Sequence, residues 1–142
     1  MNWNGLYDLA LRIAIKAHEG QMDKSGRDYI MHPIRVAERC KDPRAKIVAL
    51  LHDIIEDSDV TPEFLRNQGF PEEIIEGILS VTKQEGEDYN AFVRRAAQNP
   101  IGKVVKQADL EDNMDIRRLK EISYEDVERL RKYLRAWQFL NS

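Results

Sequence analysis

ALLHDIIEDSDV, residues 49–60, reads in two halves. Ala49, Leu50, Leu51, Ile54 and Ile55 have the apolar density of a buried helix. Asp53, Glu56, Asp57 and Asp59 gather at its end, with His52 at the junction. The C-terminal end of a helix carries partial negative charge, so each carboxylate there costs about a few tenths of a kcal/mol. No Lys or Arg lies between positions 47 and 65 to offset them. On one continuous helix His52 and Asp53 point about 100° apart. Glu56 and Asp57 are their i+4 neighbours, so four side chains flank one point. Imidazole and carboxylate are ligands for divalent metals. A cation among them would reverse the repulsion. A solvated acidic loop after a histidine is the other reading, and this stretch alone leaves both open.

Working outward, the pattern stays helical. Residues 4 to 18 place Leu6, Leu9, Ala10, Ile13, Ala14 and Ala17 on one face. Residues 19 to 30 form a loop, interrupted by two glycines and mixed charges. His32 precedes Pro33 at the mouth of a helix reaching about Arg39. Asp42 caps the helix that carries the opening stretch to about Glu56. Thr61 and Pro71 open two shorter helices, and residues 83 to 88 form a polar loop. Residues 88 to 98 and 101 to 119 read as helices. The last helix runs from 123 to 140, with Val127, Leu130, Leu134 and Trp137 as its buried stripe. No segment alternates like a strand. The expected fold is all-α, a single domain over 1–142 of about seven or eight helices.

Composition bounds the function. Hydrophobic residues make up 42% and charged residues 33% of the 142, which is globular. A net charge of −3 gives no global basic field, so no nucleic-acid partner is expected. No apolar run approaches the ~20 residues of a membrane span, and no targeting signal is evident. A single cysteine, Cys40, permits no internal disulfide and reads as a small buried residue in a reducing compartment. A soluble, cytoplasmic protein is expected, with its oligomeric state left open.

Other segments bear on the metal reading. The chain has three histidines: His18, His32 and His52. In KQADLEDNM, residues 106–114, Asp109 and Asn113 share a helix face. An aspartate between Ala108 and Leu110 is expected to be partly buried, and a buried carboxylate needs a partner or a metal.

His32, then His52-Asp53, then Asp109 resemble the H…HD…D pattern of the HD-domain metal-dependent phosphohydrolases. The likeness narrows further. HEGQMDKSGRDYIMHPIRVA, LLHDIIEDSDVT, VTK at 81–83 and VKQADLEDN at 105–113 are similar, in order, to motifs of the hydrolase domain of RelA/SpoT homologues and small alarmone hydrolases. The resemblance covers about Leu9 to Arg118. It implies that His32, His52, Asp53 and Asp109 bind one Mn²⁺. It implies that Glu56 and Asp57 orient and deprotonate the attacking water. Lys24 and Asn113 match positions that line a nucleotide pocket, and Lys106 lies one turn before Asp109. The implied reaction removes the 3′-pyrophosphate of (p)ppGpp, leaving GDP or GTP, with no room for a synthetase half. His18 matches a leading histidine and is expected to bond the loop that follows.

Two departures concern the substrate. Asp23 stands where the family has an arginine that helps hold the base, and Leu110 where it has a basic residue. Both remove positive charge while the metal ligands and catalytic carboxylates remain. An HD phosphohydrolase for another phosphorylated nucleotide is therefore the alternative, followed by a nucleotide-binding module without turnover.

Overall fold

The computed structural model describes residues 1–142, and its regular elements are all helical. They are α1 (Trp3–Ala17), α2 (Met31–Glu38), α3 (Pro43–Leu51), α4 (Ile54–Asp57), α5 (Pro62–Asn67), α6 (Glu72–Ser80), α7 (Tyr89–Ala97), α8 (Pro100–Asn113) and α9 (Tyr124–Leu140), with a 3₁₀ turn at Ile116–Arg118. Eight have six residues or more, and α4 is a single turn. The one extended pairing is an isolated bridge between Met22 and Asp28.

Local chemistry sets the starts. Asp42, Thr61, Asn99 and Ser123 each accept a backbone N–H of the turn they precede, and proline follows the first three. Ser123 and Asp126 complete a reciprocal capping box. α3 has no polar face to speak of: Ala45 and all of Ile47–Leu51 are buried. A helix apolar all round must be surrounded. α1, α2, α6 and α8 pack on α3, which puts the His52 end of that helix at the centre of the bundle. Gly102 on α8 lets that helix approach α6, since a Cβ there would lie 2.0 Å from Ser80 Oγ.

Three expectations are corrected. The helix expected through Glu56 breaks at His52-Asp53. Ala49 O, which a continuing helix would offer to the Asp53 N–H, accepts instead from both the ring and the backbone of His52. The helix expected to reach Leu119 stops at Asn113, and the chain turns through Ile116–Arg118. On α9, Val127 and Leu134 are exposed, at 36% and 47%. α9 packs mainly on α7 and α8, and the stripe it buries keeps Trp137 and adds Tyr133, Ala136 and Leu140, against Val93 and Leu110.

Candidate metal centre and its cleft

Three separate segments converge on one point. His32 comes from the first turn of α2, His52 and Asp53 from the α3–α4 break, and Asp109 from α8. One ligand atom from each of His32, His52 and Asp109 lies within 4.8 Å of the others. His32 Nε2 is 2.9 Å from Asp109 Oδ1, and His52 Nε2 is 3.4 Å from the same oxygen. Asp53 Oδ2 lies beside these three, 3.1 Å from His52 Nε2 and 3.9 Å from His32 Nε2. The Tyr29 hydroxyl donates to that Asp53 oxygen. The break in the helix is what allows this: it turns His52 and Asp53 toward the same point.

The polarity of the cluster is set by its surroundings. His52 Nδ1–H donates to Ala49 O at 2.6 Å, so Nε2 carries the lone pair. That nitrogen is buried, lacks a hydrogen-bond partner, and faces two carboxylates. A buried lone pair beside buried negative charge is costly unless a cation sits between them. In the absence of metal a proton serves. Burial works against the charged His52 ring, but Asp53 and Asp109 pull its pKa well above the usual imidazole range. Burial would also raise Asp53, yet His52 holds it down at about 2. Two imidazoles and two carboxylates suit a divalent ion harder than a structural zinc site takes.

A supporting shell surrounds these groups. Lys106 Nζ lies 3.1 Å from Asp109 Oδ2 and over the rings of Phe92 and Tyr89, at 4.7 and 5.6 Å. Asn113 Nδ2 donates to Asp109 Oδ1 at 3.1 Å. Asp112, fully buried, accepts from His32 Nδ1 and from Arg35. Sequence reasoning misses Asp112, Arg35 and Tyr29. An aspartate one turn beyond Asp109 is the available signal for the first.

The cluster opens into a cleft of about 630 Å³. Lys24, Lys106 and Asn113 line it, as does Glu56. Glu56 Oε1 accepts the backbone N–H of Lys83, which ties it to the loop after α6. Asp57 does not line this cleft. Its carbonyl accepts from Gln21 Nε2 at 2.9 Å, and Gln21 Oε1 is 2.8 Å from His18 Nδ1. His18 thus bonds the loop that follows it, as its position in the sequence implies. Arg129, Lys132 and Tyr133 of α9 also line the cleft, and nothing in the sequence singles them out for it.

The two departures resolve differently. Leu110 is fully buried in the apolar cluster with Val93 and Leu140, outside the cleft, so the charge lost there is not lost at the wall. Asp23 does line the cleft. Its Oδ1 is occupied by the backbone N–H groups of Ser25 and Arg27 and by the Ser25 hydroxyl, at 2.7 to 2.9 Å.

Known proteins are similar to this chain in sequence and in fold. No family model matches the sequence. The chain is 32% identical over 117 residues to a guanosine-3′,5′-bis(diphosphate) 3′-pyrophosphohydrolase of Aquifex aeolicus, and 34% identical over 116 residues to that of Vibrio cholerae. The chain resembles the (p)ppGpp hydrolase domain of the RelA/SpoT homologues. These matches take in 74% and 72% of the chain but only 17% and 16% of those relatives. The Borreliella burgdorferi protein of the same name is 45% identical over 78 residues. Among solved structures, a metazoan ortholog of SpoT described as hydrolysing ppGpp superposes with a TM-score of 0.76 at 20% identity. That likeness covers 95% of this chain and 84% of the other, and it shows a shared fold.

Proposed function

We propose that this chain is a divalent-metal-dependent phosphohydrolase, loaded with Mn²⁺, that removes the 3′-pyrophosphate of (p)ppGpp as one unit. The observation that carries this reading is the buried, unpartnered Nε2 of His52 facing Asp53 and Asp109, beside a cleft large enough for a nucleotide. The pyrophosphohydrolases that it resembles support the choice of substrate.

His32, His52, Asp53 and Asp109 would hold one ion. When bound, it acidifies water and polarises a phosphoryl oxygen. Glu56, on the cleft wall, takes the proton of the attacking water, and Asp57 adds negative charge beside it. The oxygen of that water bonds to the phosphorus attached to the 3′-oxygen. The bond from that phosphorus to the 3′-oxygen breaks, and the 3′-oxygen leaves with a proton. The products are pyrophosphate and GDP or GTP. Lys24 and Asn113 contact the nucleotide from the wall. Lys106, in contact with Asp109, steadies that carboxylate and adds positive charge toward the phosphates. A small nucleotide substrate and a buried Cys40 fit a cytoplasmic setting.

Asp23 on the cleft wall favours a second reading, a hydrolase of the same mechanism for another phosphorylated nucleotide. A substrate panel separates the two. With Mn²⁺ present, ppGpp and pppGpp are expected to turn over while GDP, GTP and ATP do not. Turnover confined to a different 3′- or 2′-phosphorylated nucleotide would transfer the mechanism to that substrate.

A further inference from the structure

Asp112 has no solvent exposure, and the proposed reaction does not use it. Its Oδ2 is 2.7 Å from His32 Nδ1. Arg35 grips both of its oxygens, Nε at 2.9 Å and a terminal nitrogen at 3.1 Å. Arg118 donates to its backbone carbonyl at 2.7 Å and reaches its side chain at 3.4 Å. The far nitrogen of the same imidazole, Nε2, faces Asp109 Oδ1 at 2.9 Å and Asp53 Oδ2 at 3.9 Å.

Geometry gives the two ring nitrogens different jobs. A carboxylate at Nδ1 keeps the ring proton there and leaves the lone pair on Nε2. We infer that Asp112 is a positioning residue, fixing His32 as the Nδ1–H tautomer with Nε2 presented to the metal. The inference rests on the metal-centre reading above. The two arginines complete the device. A lone buried aspartate would compete for the imidazole proton. Two guanidinium groups offset its charge, so it accepts a hydrogen bond without removing the proton. Arg35 lies one turn after His32 on α2, so one helix supplies both the ligand and a counter-charge.

The competing explanation is that Asp112 only anchors α2 to α8 through Arg35. Asp112→Asn separates the two, because it keeps the side chain's shape and removes its charge and one acceptor. Calorimetric titration of the full chain with Mn²⁺ is expected to show affinity weakened about 10–100-fold, the usual cost of losing an outer-shell carboxylate. The visible absorption of bound Co²⁺ is expected to change with it. A variant that unfolds at lower temperature yet binds Mn²⁺ as the wild type does would reduce Asp112 to an anchor and overturn the inference.

A second measurement needs no variant. Long-range ¹⁵N–¹H NMR of the Zn²⁺-loaded wild type is expected to place the His32 proton on Nδ1, and a proton on Nε2 overturns the inference. A wild type that binds no divalent ion overturns the metal-centre reading and this inference together. A wild type that binds while Asp112→Asn binds equally well overturns this inference alone.

Discussion

The ring of His52 donates its Nδ1–H to the carbonyl of Ala49, three residues back, at 2.6 Å. This single bond ends α3, fixes the tautomer, and turns Nε2 into a buried lone pair. It also bears on why a buried helix should end in acid: Asp53 turns with His52 toward a cluster that could hold a cation. Replacing the ring removes a ligand, a more severe loss than an outer-shell change at about 10–100-fold. His52→Ala is therefore expected to weaken Mn²⁺ binding by more than about 100-fold while the chain stays helical. Calorimetry and circular dichroism check this together, and unchanged affinity would remove His52 from the ligand set.

Glu56 is tied to the cleft by the Lys83 N–H but is not part of the ion cluster. Burial raises its pKa, the Lys83 bond opposes that, and Asp53 and Asp57 add to the rise. A carboxylate held on the cleft wall with its basicity raised suits a proton acceptor. Glu56→Gln is expected to lower kcat by about 10²–10⁴, the usual weight of a positioned base. Mn²⁺ affinity should be nearly unchanged. A full-rate Glu56→Gln enzyme would move the proton acceptor elsewhere, with Asp57 first in line.

The pH dependence has a definite sign. In metal-free protein burial opposes charge on both imidazoles, but the surrounding aspartates raise His32 and raise His52 further. A raised folded pKa contributes stability that is full below the unfolded imidazole value, about 6.5. It is lost as pH climbs through the folded values. A divalent ion displaces the same protons, so its affinity rises over that interval. Thermal unfolding in chelator is expected to occur at lower temperature as pH goes from about 6 to about 9, and saturating Mn²⁺ should cancel the trend. Affinity that falls with rising pH would contradict this account.

Asp23 holds its own loop, so a change to arginine would break three hydrogen bonds as well as reverse a charge. Asp23→Asn keeps an acceptor oxygen and removes only the charge. One like-charge interaction of about 1 kcal/mol in a solvated cleft is about fivefold in affinity. KM for ppGpp is expected to fall by about that factor with kcat unchanged. A KM that stays put would mean that the Asp23 carboxylate does not face the phosphates.

Much of this site is legible in the sequence alone. The helix starts are, because Asp42, Thr61 and Ser123 cap through short-range bonds between residues close along the chain. The proposed ligand set is also visible, since His32, His52, Asp53 and Asp109 sit in recognisable motifs. The break at His52-Asp53 is not. It depends on a side chain taking a backbone carbonyl, and apolar periodicity runs straight across it. Periodicity also misplaces the stripe of α9. Val127 and Leu134 have the right spacing to be buried, but α9 meets α7 and α8 along a different face and leaves both exposed. In the sequence Asp112 is one more charge in an acidic run. Only the packing of α2 on α8 brings Arg35 and His32 to it.

Identifying the products released from ppGpp decides whether this chain is the hydrolase proposed. Metal-free protein is supplied with Mn²⁺ and ppGpp, and the released species are separated. GDP and pyrophosphate are expected in equal amounts, dependent on the added ion. Release of single phosphates, or no turnover with Mn²⁺ demonstrably bound, would contradict the proposal.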